Sequence, residues 1–237
     1  MNIHTEVVKY HHDSTNYTGM FAWDDSSAQK RPGVLVVHGG AGLDDHAKGR
    51  ALGVAEMGYL AFACDMYGEG TAGNRGRVMS KIMELRTDPA RLCAVASAGT
   101  GVLRSHPLLD DRIAALGYCF GGMTVLELAR SGADLCGAIS VHGTLSTPVP
   151  ASSGRIRSKL LICHGALDPH VPLTQVTTFI EEMNAANADW QLIVYSGAQH
   201  GFTHENAAST PGVAYNAQAD GRSQWHIRRF LPEIFVQ

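Results

Sequence analysis

The sequence predicts an α/β fold: a doubly wound, mostly parallel sheet with helices on both faces. Three observations predict it. Continuous apolar runs such as Gly33-Val34-Leu35-Val36-Val37 suit strands buried on both faces, as parallel strands are. Stretches of helix-forming composition separate these runs along most of the chain, so strand and helix alternate. Glycine-rich turns follow several strands, at the sheet end where such folds gather their functional groups. A chain of 237 residues is of a size for one α/β domain, expected to span 1–237.

Composition narrows the function classes. A hydrophobic fraction of 45% supplies a real core, and 17% charged residues is too few for a disordered or heavily solvated chain. A formal net charge of −3 gives no electrostatic reason to expect nucleic acid or an anionic membrane. No apolar run approaches a membrane span, and the N-terminus lacks the pattern of a secretion signal. Five cysteines without a Cys-x-x-Cys pair argue against a disulfide framework or a redox couple and fit a reducing, cytoplasmic setting. Cys64, Cys93, Cys136 and Cys163 are expected to be core filler.

Taken in order, residues 5–10 and 17–23 form a strand meander around an Asp13-Ser14 turn. Residues 33–37 are the first buried strand; 46–57 are a helix, capped by Asp44 or Asp45 and stopped by Gly58. The strand at 59–64 ends in Asp65-Met66-Tyr67-Gly68-Glu69-Gly70, which opens a glycine-rich loop. Two helices follow, about 78–86 and 90–103, the second started by Asp88-Pro89. A buried strand at 112–116 leads into a helix at 123–130, then a strand at 137–141 and a Ser/Pro-rich loop to 154. Strands at 159–163 and 190–195, with helices at 173–186 and 217–235, complete the alternation. Trp225, Ile227, Phe230 and Leu231 are expected on the core-facing stripe of the last helix.

Gly117-Tyr118-Cys119-Phe120-Gly121-Gly122 lies between a predicted strand and a predicted helix. A nucleophile held on a sharp strand-to-helix turn needs neighbours without Cβ atoms, because both backbones pass close to it. Gly117 and Gly121 meet that need, and the helix N-terminus after Cys119 favours a thiolate. His38-Gly39-Gly40-Ala41-Gly42 follows another strand. It has neither Gly-x-Gly-x-x-Gly spacing nor a Gly-Lys-[Ser/Thr] continuation, so a phosphate cradle does not fit. It fits instead a loop whose backbone N–H, at Gly40, completes an oxyanion hole with the N–H of Phe120.

Cys119, Asp168 and His200 each follow the end of a predicted strand, in the order nucleophile, acid, histidine expected of an α/β-hydrolase arrangement. A thiol is mostly protonated near neutrality, so a base is needed; His200 fills that role and Asp168 fixes its tautomer. His164, His170 and His204 also lie near strand ends and compete for the role of base. The i,i+4 spacing of His200 and His204 would suit zinc on a helix, but Gly201 and the strand-end position argue against a helix there. His11-His12 has no third ligand nearby. Neither a metal nor a cofactor is therefore expected.

With these motifs in place the chain resembles the dienelactone hydrolase family of the α/β-hydrolase fold over nearly its whole length. The resemblance rests on the cysteine elbow, on His164-Gly165-x-x-Asp168-x-x-Val171-Pro172 and on His200-Gly201-Phe202. It extends to Asp65-Met66-Tyr67-Gly68 and to the segments Ala214-Tyr215 and Ser223-Gln224-Trp225. It implies a Cys119–His200–Asp168 triad and a substrate pocket drawn from His38, Gly39, Tyr67, Glu69, Phe202 and His204. Two departures shape the expected substrate. The family's carboxylate-binding arginines fall on Glu69 and His204, with Arg75 and Arg77 as substitutes from the loop, and its glutamate beside the nucleophile falls on Gly39.

The expected activity is hydrolysis of esters or lactones through a thioester, favouring neutral activated substrates over dienelactone. Promiscuous hydrolysis of neutral phosphotriesters is one alternative, and a non-catalytic small-molecule binding protein on a hydrolase shell is another. The expected partners are a small-molecule substrate and a second copy of the chain in a homodimer.

Overall fold

Strands β1 (Ile3–His12) and β2 (Thr15–Asp24) open the chain, followed by β3 (Arg31–Val37), α1 (Asp45–Glu56) and β4 (Leu60–Cys64). Helices α2 (Arg75–Thr87) and α3 (Pro89–Arg104) precede β5 (Leu109–Tyr118), α4 (Phe120–Ser131) and β6 (Gly137–Val141). The chain closes with β7 (Lys159–Gly165), α5 (Leu173–Ala185), β8 (Trp190–Tyr195) and α6 (Ala217–Phe235). This computed structural model describes residues 1–205 and 211–236. The strands form one eight-stranded sheet in the order β1-β2-β4-β3-β5-β6-β7-β8. Strands β4, β3, β5, β6, β7 and β8 run parallel, while β1 and β2 extend the sheet antiparallel.

The side-chain alternation of each strand feeds two separate cores. In β3, Leu35 and Val37 enter one cluster while Val34 and Val36 enter the other. In β7, Leu160 and Ile162 face the first, and Leu161 and Cys163 the second. Helices α2, α3, α4 and α5 cover the first face; α1 and α6 cover the second. Every one of these strand residues is at most 1% exposed, so each aliphatic contributes about 1.5–3 kcal/mol of burial. No helix among the described residues is long and apolar enough to cross a membrane.

One expectation about the core is corrected. Trp225 is 53% exposed, stacked under the Arg229 guanidinium, while Ile227, Phe230 and Leu231 are buried. The inward residues of α6 include Ala219, Ser223, Ile227, Phe230, Leu231 and Ile234. Trp225 stands two positions before Ile227, about 200° around the helix, on the opposite side from that stripe.

Sheet order determines where chemistry can sit. The chain leaves β3 for β4 on one side and returns to β5 on the other, so the order reverses at β3/β5. The crevice beyond the carboxyl ends of those strands is the general ligand site of such sheets. The register pairs Val37 with Gly117, which sets the loop after β3 beside the turn after β5. The approach there is close. A Cβ on Gly117 would collide with the Gly121 carbonyl, and one on Gly121 with the Val37 carbonyl. All these obstacles are backbone, so a side chain could be admitted only by moving α4 off the sheet.

Gly117→Ala and Gly121→Ala should each lose at least about 2 kcal/mol in urea unfolding, as overpacking against fixed backbone does. Gly49 and Gly53 on α1 have nothing within 4 Å of an added Cβ and no positive φ. Alanine at either should instead gain about 0.5–1 kcal/mol. Unchanged stability in Gly117→Ala would contradict the close packing of elbow and sheet.

Candidate active site

Cys119 sits between β5 and α4 with φ 54° and ψ −112°. A non-glycine residue there carries about 1–3 kcal/mol of backbone strain. Its N–H donates to the Val141 carbonyl at 3.0 Å and to His142 Nδ1 at 3.1 Å, and its carbonyl accepts from Met123 N–H at 3.2 Å. The turn is thereby held from both sides, with the first amides of α4 behind the sulfur.

The acid and the histidine come from neighbouring strand ends. Asp168 follows β7; its Oδ1 accepts the N–H groups of His170 at 2.8 Å and Val171 at 3.1 Å. Asp168 Oδ2 lies 2.8 Å from His200 Nδ1, and His200 Nε2 lies 3.1 Å from Cys119 Sγ. The loop after β8 is anchored around the histidine: His200 N–H donates to the Gly212 carbonyl and Ala214 N–H to the His200 carbonyl. Both ring nitrogens of His200 are thus engaged, which leaves neither for zinc. His204 does not stand on a helix with it but closes a turn, its N–H on the Gly201 carbonyl. Among the described residues, no group of three or more His, Cys, Asp or Glu side chains is arranged to hold a metal ion. It is His200, and neither His164 nor His170, that bridges Asp168 and the thiol: His170 packs edge-on against the His200 ring, 5.2 Å between centroids, and His164 is buried.

Charge follows this geometry. Burial works against a thiolate at Cys119, yet the hydrogen bond and charge of His200, with the N–H groups of Phe120 and Gly40, outweigh it and lower the thiol. Burial also works against an imidazolium at His200, but hydrogen bonds to Asp168 and Cys119 push the ring up to about 10. Asp168 is lowered: burial opposes its ionisation, and the His200 contact together with the two amides prevails. Both shifts act in the same direction, favouring thiolate and imidazolium over the neutral form of the pair.

The Gly40 amide is aimed by its neighbours. His38 is fully buried, and its Nε2 accepts Met66 N–H at 3.0 Å, which assigns the proton to Nδ1. That Nδ1–H donates to the Gly39 carbonyl at 2.7 Å, and Tyr67 Oη stands 3.4 Å from the same oxygen. The Gly39 carbonyl and the Gly40 N–H belong to one trans peptide, so they point in opposite directions. Holding the oxygen away from the sulfur turns the N–H towards it. Asp65 shapes this support by accepting the N–H groups of Tyr67 and Gly68.

The remaining pocket residues divide. Gly39 and His204 face each other, since a Cβ on Gly39 would lie 3.5 Å from His204 Nε2. Phe202, expected on the pocket wall, is instead 0% exposed and packs its edge against His142 and Tyr195 in the core beneath the site. The reason is its position: the turn after His200 dives back towards α6. Glu69 is turned to the β1–β2 hairpin, 3.1 Å from Lys9 Nζ and 3.1 Å from Thr18 Oγ1. Arg75 and Arg77, expected from a loop, lie exposed in the first turn of α2, with Arg77 donating to the Gly70 carbonyl.

Sequence reasoning passed over His142, Thr203 and His46. His142 Nε2 and His46 Nε2 lie 2.9 Å and 3.0 Å from Thr203 Oγ1, directly behind the triad. The signal for His142 was present: it directly follows the strand 137–141, as Cys119, Asp168 and His200 follow theirs.

A sequence model of the Dienelactone hydrolase family matches residues 19–235. The chain is 38% identical over 145 residues to the uncharacterized protein K02A2.1 of Caenorhabditis elegans, covering 59% of this chain and 91% of that one. It is 27% identical over 202 residues to a Yersinia pestis protein carrying the name carboxymethylenebutenolidase, covering 80% of this chain and 74% of the other. Among solved structures, it resembles the dienelactone hydrolase-like promiscuous phosphotriesterase P91 from metagenomic libraries. That match has a TM-score of 0.93 and 36% identity, over 100% of both chains.

Titration of the five thiols should single out one of them. Burial raises the other four, Cys93 to about 11 and Cys163 to about 12. Iodoacetamide should therefore label Cys119 first, read by peptide mapping. Because its pKa is depressed, the rate should persist below the ordinary thiol range and fall only as the pH drops through that lowered value. Uniformly slow labelling of all five would contradict the lowered Cys119 thiol.

Proposed function

We propose, on the footing that this chain belongs to the dienelactone hydrolase family, that it hydrolyses carboxylic esters and lactones through a thioester on Cys119. The observation that carries the reading is the contact chain Cys119 Sγ, His200, Asp168, at 3.1 Å and 2.8 Å. The thiolate attacks the carbonyl carbon, and the oxygen charge that develops is received by the N–H groups of Phe120 and Gly40. Each such donor contributes about 3 kcal/mol in the transition state. His200, already protonated, gives its proton to the leaving alkoxide, and the thioester forms as the C–O bond breaks. Neutral His200 then takes a proton from water. Hydroxide adds to the thioester, and thiolate and carboxylic acid separate. Asp168 holds the ring through both steps and stabilises its imidazolium form without taking its proton.

The substrate is a neutral, activated ester in preference to an anionic lactone. Where family members clamp a carboxylate with arginines, this chain has Glu69, engaged with Lys9 and Thr18, and His204, a ring lowered by burial. Each missing charge-assisted contact removes roughly 1.5–3 kcal/mol, or one to two orders of magnitude in affinity.

A second reading is favoured by the full-length likeness to P91. Oxyanion donors recognise developing negative charge and not carbon as such, so the P=O oxygen of a neutral phosphotriester can occupy the same place. The step forms an S–P bond to Cys119 as the P–O bond to the leaving group breaks. Water must then cleave that S–P bond, with His200 taking its proton.

Cys119→Ala should abolish p-nitrophenyl ester turnover with the circular dichroism spectrum unchanged, and EDTA should leave wild-type turnover unaltered. Activity that survives in the variant would end the thioester proposal. A kcat/KM comparison of a neutral aryl ester, a neutral phosphotriester and dienelactone, with His204→Arg alongside, tests the charge argument. The aryl ester should lead in wild type, and His204→Arg should raise dienelactone selectively. Preference for dienelactone by orders of magnitude would overturn it.

A further inference from the structure

Behind the triad, on the side away from solvent, a run of hydrogen bonds joins the nucleophile's backbone to the loop that carries the base. Its direction can be worked out donor by donor. Cys119 N–H can only donate, so His142 Nδ1, 3.1 Å away, is an acceptor and the His142 proton is on Nε2. That Nε2–H donates to Thr203 Oγ1 at 2.9 Å. The Thr203 hydroxyl proton then has one place to go, His46 Nε2 at 3.0 Å, which also accepts from Arg50 Nε at 3.2 Å. Arg50 is fixed in turn by the Thr203 carbonyl and Asp220 Oδ2, both 2.9 Å from its Nη2. Donation therefore runs from the elbow through His142 and Thr203 to His46, where it meets that of the partly buried Arg50–Asp220 ion pair.

We infer that His142 and Thr203 are positioning residues whose hydrogen bond sets the distance between Cys119 Sγ and His200 Nε2. Thr203 stands three positions after His200 in the same turn, and His142 touches the backbone of Cys119 itself, so this bond spans both halves of the reacting pair. His142 is fully buried and accepts a left-handed φ of 42° to make both contacts. Such strain persists only where the surroundings over-determine it. Titration does not undo the arrangement. Burial and then the charges of His200, His204 and His46 hold His142 well below its ordinary value, and burial first, with His204 and Arg50, lowers His46 to about 3. Asp168 and Cys119 face His200 from the other side, with His170 against its ring.

The role depends on Cys119 and His200 being nucleophile and base, and the test separates the two. Thr203→Val keeps the shape and removes the hydroxyl; Thr203→Ser keeps the hydroxyl. Thr203→Val should lower ester kcat roughly ten- to hundred-fold, the scale of a misplaced reacting pair, with KM within about two-fold. The acid limb of Cys119 alkylation should move to higher pH, because a longer Sγ–Nε2 distance weakens the thiolate. Thr203→Ser should restore both. Should Thr203→Val not fold, His142→Asn carries the same test. Asparagine tolerates the left-handed backbone and keeps an acceptor for Cys119 N–H, but cannot reach Thr203. Wild-type values of kcat and alkylation limb in Thr203→Val or His142→Asn, or failure of serine to rescue, would overturn the inference. Absence of ester activity in the wild type would sink the functional reading alone, since the alkylation limb would still report the distance.

Discussion

The closeness of α4 to the sheet at β3 and β5 is the constraint from which the site follows. Gly117 and Gly121 let the Gly121 carbonyl and the Val37 carbonyl occupy space that a side chain would otherwise claim. Only because the helix starts so tightly can Cys119 be bent into its strained conformation, its sulfur raised before the amides of Phe120 and Gly40. The same constraint brings the β3 loop into reach. The strain is offset elsewhere, through Cys119 N–H bonds to β6 and His142 and through the burial of α4 along nearly its whole length.

Histidine serves here mostly as a neutral, shape-specific connector. His38 orients a peptide, His142 holds the elbow and His46 terminates a hydrogen-bond run, each using one nitrogen to accept and assigning its proton to the other. His200 alone among them is placed between a carboxylate and a thiol and is pushed upward. Burial depresses His46, His142 and His204, so protonation among these rings is favoured at His200.

Much of this was legible in the sequence, because continuous apolar runs mark buried parallel strands. The strands 137–141 and 190–195 coincide with those observed, and glycines flanking Cys119 announced the close packing. What was not legible has physical reasons. The hairpin strands extend to Ile3–His12 and Thr15–Asp24, whose polar ends carry no hydrophobic signal. β5 begins at Leu109 and not at the expected Arg112, because Asp110 and Asp111 interrupt the apolar signal. Trp225 was placed on the stripe of α6 by closeness in sequence, although its angle around the helix puts it in solvent. The strand-end rule reached Cys119, Asp168 and His200 but not the bond between His142 and Thr203, whose partners are 61 residues apart. Complementarity of that kind exists only once the turns are folded against each other.

The facing of Gly39 and His204 ties two positions 165 residues apart into one piece of the pocket. On the resemblance drawn from the sequence, the family's glutamate and one of its arginines fall on these two positions, and an added Cβ at 39 would stand 3.5 Å from the ring of His204. The two departures from the family pattern therefore meet at one place in the pocket. A side chain introduced at 39 would meet the half-buried ring of His204 before anything else but the Tyr118 carbonyl. Residues 39 and 204 thus form one stretch of wall beside the thiol, and what either position can hold depends on the other.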